Sequence, residues 1–178
     1  MNISLSDSQV SDILNQNNIP HKIMTYTEVA DCENISEVLH PHGTTVICYL
    51  TRENYGHWTC LWRQDDQIHF FDPYGLKPDF ELDWSIDPEF RQQAKEDYSY
   101  LTNLLLKASI IDKEEVEYNP YDFQAHKKGV ATCGRHTTVR LCLKFLSDNQ
   151  YKDIIKKCCK KVQLDPDELV VLLTTPLP

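Results

Sequence analysis

The 178-residue sequence predicts a fold of the α+β class, in which a mostly antiparallel central sheet packs on a buried helix. Two observations predict this class. Segments rich in β-branched and aromatic residues follow one another closely between residues 44 and 71. The run from Val139 to Leu146, which Cys133 opens after a short loop, is apolar almost all round and is typical of an interior helix. The length predicts a single domain, residues 1–178, with residues 173–178 as a tail or linker.

Helical segments are predicted before the strands. The first begins near residues 5–7, where Ser6 or Asp7 can cap it, and ends near Asn17 and Asn18; its apolar residues recur at helical spacing. Residues 23–29 are predicted to be weakly extended. Residues 35–39 are predicted to form one helical turn, which a proline and a glycine close.

Three strands are predicted in the middle of the chain, and they are residues 44–50, 58–62 and 67–71. Residues 63–66 read as a turn, and a four-residue loop there would pair Trp62 with Gln67. Counting outward along this hairpin places His57 opposite Asp72, with their Cβ atoms about 4.5–5.5 Å apart. A slip of one residue would send the two side chains to opposite faces of the sheet.

The remaining elements follow a turn at residues 72–75. The predictions are an irregular segment at 77–84, one long helix at 88–108, a strand at 114–118, a helix at 151–162, and a helix or strand at 166–173. In the helix at 151–162, Ile154, Ile155, Cys158 and Val162 are predicted to face inward.

The charge and the cysteines exclude several classes of partner and location. The formal net charge is −9, from 27 acidic and 18 basic residues, which disfavours nucleic acid or an anionic membrane as the main partner. The seven cysteines include no Cys-x-x-Cys pair, and the sequence contains neither a secretory signal nor an apolar run that could span a membrane. We therefore expect free thiols in a reducing intracellular compartment. No pair of residues has metal-ligand spacing, and no cofactor is predicted.

One set of residues predicts nucleophilic chemistry. Cys133 opens a helix, where unpaired N–H groups and the helix dipole favour the reactive thiolate. His57 could take the thiol proton, and Asp72 could orient the imidazole. The Gln124 amide and the Cys133 backbone N–H could donate to an oxyanion. Each of these residues alone would more often be structural, so the combination carries the prediction.

The order of four short blocks resembles a known superfamily. The blocks are Gly56-His57-Trp58, Phe71-Asp72-Pro73-Tyr74-Gly75, Phe123-Gln124 and Thr132-Cys133-Gly134. They resemble the adenovirus-type processing proteases and SUMO-specific proteases, whose order is His, Asp or Glu, Gln, Cys. The second block is most similar to the adenovirus-type branch, which occurs in large DNA viruses and related mobile elements. The resemblance covers residues 44–146.

The resemblance implies a papain-like cysteine peptidase in which a sheet carries the histidine and the acid. Cys133 would be the nucleophile, His57 the general base, Asp72 its orienting acid and Gln124 an oxyanion donor. Trp58 would line a narrow channel for small residues such as Gly before the scissile bond. Two features depart from the family: the segment between Gln124 and Cys133 is longer than expected, and the chain is acidic, so DNA activation is not implied.

The function implied is a cysteine endopeptidase that processes viral or mobile-element precursor proteins, as a monomer, in the host cytoplasm or the virion. An isopeptidase that removes ubiquitin or a ubiquitin-like modifier would use the same residues. An acyltransferase with a similar His-acid-Cys set is a third alternative. A catalytically silent binding domain is a fourth, and an inert Cys133 would favour it.

Overall fold

A computed structural model describes residues 4–52, 55–84, 86–94 and 96–175. The fold is mixed, with nine α-helices and one five-stranded sheet among the described residues. The strands, which lie in the sheet in chain order, are β1 (Lys22–Thr25), β2 (Thr44–Arg52), β3 (Tyr55–Gln64), β4 (Gln67–Phe71) and β5 (Glu115–Tyr118). The central three are antiparallel, whereas β1 and β5 are parallel to their neighbours.

The helices cover both faces of this sheet. They are α1 (Asp7–Gln16), α2 (Tyr26–Ala30), α3 (Ile35–Leu39), α4 (Glu81–Trp84), α5 (Pro88–Gln93), α6 (Tyr100–Lys107), α7 (Cys133–Cys142), α8 (Asp148–Val162) and α9 (Pro166–Thr174), with a π-helical turn at Ala108–Asp112 after α6. Alternating side chains of the central strands enter two separate cores. The core on one face contains α1, α7, α8 and α9, and the core on the other contains α2, α3 and α6. The general α+β prediction is therefore confirmed, but the sheet is mixed rather than mostly antiparallel, because two of its four strand pairings are parallel.

The hairpin of β3 and β4 differs from the prediction. Its turn has two residues, Asp65 and Asp66, and Gln64 pairs with Gln67. Asp65 adopts a left-handed conformation, with φ of +54°, which a two-residue hairpin turn requires. The predicted four-residue loop is wrong, and the register shifts by two residues. Because a shift of two keeps every side chain on its face, His57 and Asp72 remain on the same face as diagonal neighbours.

The long helix predicted at 88–108 is wrong, because it is two helices, α5 and α6. Glu96 lies between them with no exposed surface, and its Oε1 accepts a hydrogen bond from the Leu50 N–H at 3.0 Å. This buried carboxylate binds an amide of β2, and the chain cannot continue as a helix through that contact. Other corrections are local: residues 26–30 are helical because a capping box of Thr25 and Glu28 starts α2, and residues 81–84 form the short α4.

The C-terminal part of the chain also departs from the prediction. Residues 173 and 174 belong to α9 rather than to a tail, and Thr174 is buried against the Arg135 guanidinium, which donates to it at 2.6 Å. Residues 176–178 of the predicted tail lie outside the described residues. In α8, Ile155 is buried and Cys158 is half-buried as predicted, but Ile154 and Val162 are exposed. Residues 166–173 are helical.

The helix that begins at Cys133 is buried as predicted, but many of its buried side chains are polar rather than apolar. Every residue from Cys133 to Leu141 is buried, while residues 143–146 lie beyond the helix end. The polar residues have partners: the Thr137 hydroxyl donates to the Trp58 carbonyl at 3.1 Å, and Arg140 lies between the rings of Trp62 and Tyr151. These contacts fix α7 across β3 and bring its first residue to the end of the hairpin.

Candidate active site

His57 and Asp72 form the contact that the sequence predicts. His57 lies near the start of β3, and Asp72 follows the last residue of β4. The His57 Nε2 is 3.2 Å from the Asp72 Oδ2, and the two side chains are 7% and 1% exposed. Although the predicted direct pairing is wrong, the preserved face brings these groups into contact.

Cys133 is the first residue of α7 and lines the same cavity as His57, whose pKa the nearby thiol helps to raise. Because the Nε2 of His57 faces Asp72, the nitrogen that remains for the thiol is Nδ1. No side chain of the described residues caps the start of α7, since the hydroxyl of its N-cap, Thr132, donates instead to Asp167. The amide groups at this helix terminus are therefore left to act on the sulfur or on a bound group.

A second carboxylate reaches the imidazole, and the sequence analysis missed it. Glu81, on α4, is 2% exposed, and its Oε1 is 3.5 Å from the His57 Nε2. Burial by itself lowers the pKa of His57, but the negative charges of Asp72 and Glu81 outweigh it and hold the pKa well above its ordinary value. The site therefore favours an imidazolium. No sequence signal identified Glu81, because it lies in a segment predicted to be irregular.

Gln124 lies beside the histidine and acid, on a loop that is bound to the turn after β4. The Pro73 carbonyl accepts hydrogen bonds from the N–H groups of Phe123 (2.8 Å) and Gln124 (3.1 Å). The Gln124 Nε2 donates to the Tyr74 hydroxyl at 3.1 Å, and among the described residues its buried Oε1 has no hydrogen-bond partner. The amide has a second N–H, which can serve as a donor in the cavity.

Tyr74 is a second residue that the sequence analysis missed, although it lies within the Phe71–Gly75 block. Its N–H donates to the Asp72 Oδ1 at 2.7 Å, and its ring stacks on His57 with centroids 5.0 Å apart. Its hydroxyl accepts the bond from Gln124. Burial, with the negative charges of Cys133, Glu81 and Asp72, raises the pKa of Tyr74, so it remains protonated. Tyr74 thus contacts three of the candidate residues.

Asp167, at the start of α9, joins the Gln124 loop to the Cys133 helix. Its Oδ2 accepts from the Ala125 N–H at 3.0 Å, and its Oδ1 accepts from the Thr132 hydroxyl and lies 3.0 Å from the His136 Nε2. Burial opposes ionisation, but the hydrogen bonds from His136, Thr132 and Ala125 lower the pKa of Asp167 below its ordinary value. One carboxylate thus holds together the two ends of the long segment between Gln124 and Cys133.

A cavity of about 1300 Å³ contains the candidate residues His57, Trp58, Gln124 and Cys133 in its lining, while Asp72 lies behind His57. Residues 4–9 form part of one wall. Trp58 is 9% exposed, and its Nε1 donates to the Leu5 carbonyl at 3.3 Å. A Cβ at Gly134 would lie 3.1 Å from the Trp58 Cδ1, so glycine at this position lets α7 pack closely against Trp58.

Comparison with known proteins identifies a viral relative. An uncharacterized protein, V9 of the Sputnik virophage, is 36% identical over 164 residues, which cover 92% of this chain and 91% of V9. The chain belongs to the V9 family. No protein-family model matches the chain. Membership of the V9 family associates the fold with a virus and leaves the activity to be inferred from the site.

Two other properties bear on the site. All seven cysteines are free, including Cys48, which lines the same cavity. Burial, with the nearby Cys133 and two acids, raises the pKa of Cys48 to about 12, so Cys48 is a poor nucleophile. No helix in the described part of the chain is long and apolar enough to cross a membrane.

Proposed function

We propose that the chain is a cysteine endopeptidase that cleaves protein chains after small residues such as Gly. The observation that carries the proposal is the linked set of Cys133, His57 and Asp72 at the start of a buried helix, beside a cavity. A thiol, a base and an acid in contact are the groups that acyl transfer through a thioester requires. The four blocks that resemble the adenovirus-type processing proteases contain the same residues.

In the proposed mechanism, His57 holds the thiol proton of Cys133 before substrate binds. The two carboxylates at Nε2 stabilise the imidazolium, and the amides at the start of α7 stabilise the thiolate. The sulfur attacks the carbonyl carbon of the scissile peptide bond. The oxygen, now negatively charged, is stabilised by the Cys133 N–H and the second N–H of Gln124.

The intermediate collapses when the C–N bond breaks and His57 gives its proton to the leaving amine. This leaves a thioester between Cys133 and the N-terminal part of the substrate. Neutral His57 then takes a proton from water, whose oxygen attacks the thioester carbonyl. The acid product leaves, and the proton on His57 restores the ion pair with the Cys133 thiolate.

Two further features support details of the proposal. Trp58 lines the cavity together with Cys133, as the resemblance expects of the aromatic residue that selects small substrate residues. A helix that begins at the proposed nucleophile and packs on the sheet that carries the proposed base supports the papain-like arrangement that the resemblance implies. The V9 family includes a viral protein, so the proposed substrates are precursor proteins of a virus or mobile element.

The test is covalent labelling with electrophile-tipped probes, in wild type and Cys133→Ala. We expect short probes that end in Gly to label wild type and not Cys133→Ala, and matched probes that end in Leu to label much less. Hydrolysis of the corresponding peptides should follow the same order. Labelling of Cys133→Ala to the same extent would refute the assignment of the nucleophile. Labelling only by full-length ubiquitin or a ubiquitin-like modifier would assign an isopeptidase instead.

A further inference from the structure

We infer that His57, Asp72 and Glu81 form a binding site for a divalent transition-metal ion such as Zn²⁺, and that the ion switches the proposed enzyme off. One ligand atom from each residue lies within 4.8 Å of the other two, and all three residues are buried. The binding site stands on this geometry alone, whereas the inhibition rests on the proposed function. The three residues are far apart in sequence, so their spacing gave no metal signal.

The distances match the ligand shell of zinc. Tetrahedral Zn²⁺ holds nitrogen and oxygen ligands at about 2.0–2.2 Å, which places neighbouring ligand atoms roughly 3.3–3.5 Å apart. The His57 Nε2 is 3.2 Å from the Asp72 Oδ2 and 3.5 Å from the Glu81 Oε1. An ion can therefore replace the proton between these atoms with small movements of the side chains.

The donor set and its charge also suit the ion. One imidazole and two carboxylates are ligands that Zn²⁺ accepts, and three protein ligands leave a fourth position for water. His57 and Glu81 line the cavity, which gives the ion and that water access. Two buried carboxylates with one imidazolium retain a net negative charge, whereas Zn²⁺ with neutral imidazole makes the group electrically neutral. Removing net charge from a buried cluster favours the ion.

Binding would stop the proposed reaction for a simple reason. The ion needs the Nε2 lone pair, so a proton leaves that nitrogen when the metal binds. The metal-bound ring then carries its one remaining proton on Nδ1, the nitrogen that faces Cys133. Giving that proton to the leaving amine would leave a metal-bound imidazolate, so His57 can no longer act as the general acid that the proposed reaction needs.

The test measures zinc binding without any need for catalysis. Cys133→Ala, which lacks the thiol, is titrated with ZnCl₂ by calorimetry at pH 7.5, next to Cys133→Ala with Glu81→Gln. A matched control adds His126→Gln, because His126 forms an exposed pair with Asp122 at 3.1 Å and is not one of the three clustered residues. We expect one ion per chain in Cys133→Ala and in the His126→Gln control, and an affinity lower by more than about tenfold with Glu81→Gln.

Three outcomes would overturn the inference: no binding in Cys133→Ala, equal binding with Glu81→Gln, or loss of binding with His126→Gln. Binding by wild type but not by Cys133→Ala would make the thiolate the principal ligand and would also contradict it. If the protein binds zinc as expected but hydrolyses no peptide, the site stands and the proposed peptidase fails. If it hydrolyses peptides but binds no zinc, only the zinc site fails.

Discussion

Replacing Asp167 by Asn tests whether one carboxylate holds the two halves of the candidate site together. The Asp167 Oδ1 contacts Thr132 and His136, and its Oδ2 accepts from the Ala125 N–H at 3.0 Å. Asn keeps one side-chain oxygen, which can still accept hydrogen bonds from Thr132 and His136. Its NH₂ group then faces the Ala125 N–H, so two donors oppose each other. The variant therefore breaks the link to the Gln124 loop and spares the link to the Cys133 helix.

The expected decrease in the free energy of unfolding follows from the hydrogen bonds that each substitution removes. A hydrogen bond to a charged group contributes about 1.5–3 kcal/mol, so Asp167→Asn should lower the free energy of unfolding by about 2 kcal/mol. Asp167→Ala removes all three contacts and leaves buried donors behind, which should cost about 3–5 kcal/mol. Urea denaturation, followed by tryptophan fluorescence at pH 7, measures both. Because Ala125 adjoins Gln124, Asp167→Asn should also lower kcat for peptide hydrolysis and leave KM nearly unchanged.

The pH dependence supplies an independent check. The pKa of Asp167 is lowered in the folded state, so its contribution is present above the unfolded pKa of about 3.9. This contribution is lost as the pH falls through the lower folded pKa. The difference between wild type and Asp167→Asn should therefore shrink below about pH 4. The control is Asp165→Ala, which removes the α9 cap at a cost of about 1 kcal/mol and should leave kcat unchanged. A difference under about 0.5 kcal/mol between wild type and Asp167→Asn at pH 7 would refute the reasoning.

Three further changes test other parts of the structure. Asp72→Asn should lower kcat far more than it changes KM, because an amide cannot support the imidazolium of His57; an unchanged kcat would make Asp72 only a turn residue. Burial raises the pKa of Glu96 to about 7, so ionisation of this carboxyl group lowers the free energy of unfolding as the pH rises from about 4.5 to 7. In Glu96→Gln, the free energy of unfolding measured in urea should stay constant over that range. The same fall in the free energy of unfolding with pH in Glu96→Gln would contradict this prediction. Tyr74→Phe should lower kcat by up to about tenfold in wild type, but cause no further loss in a Gln124→Ala background. Additive losses would show that the Tyr74 hydroxyl acts independently of Gln124.

Local signals predicted most of the elements that carry the site. The predicted cap at Ser6 or Asp7 and the β-branched run at 44–50 correspond to α1 and β2. The strand at 67–71 and the helix that begins at Cys133 are also confirmed. Each of these segments has a pattern that depends on near neighbours in sequence, so a single sequence is enough to reveal it.

Contacts over long sequence separations were not predictable in the same way. The helix at 88–108 failed because the buried Glu96 binds the Leu50 amide, and no neighbour of Glu96 signals that bond. Glu81 and Asp167 were missed for the same reason, since their partners lie 24 or more residues away. The His57–Asp72 contact survived an error in register only because the error was an even number of residues.

The position of Asp167, which follows the Cys133 helix in the chain, has a consequence during synthesis. The ribosome makes Cys133 and its helix before α9, so the carboxylate that joins the Gln124 loop to that helix is added 34 residues later. Domains fold as their last elements emerge, and a nascent chain that stops short of α9 lacks this clamp. The oxyanion donor and the nucleophile are then not held together. If the protein is a peptidase, its activity is delayed until α9 has been made, and a nascent chain that lacks α9 is protected from premature cleavage.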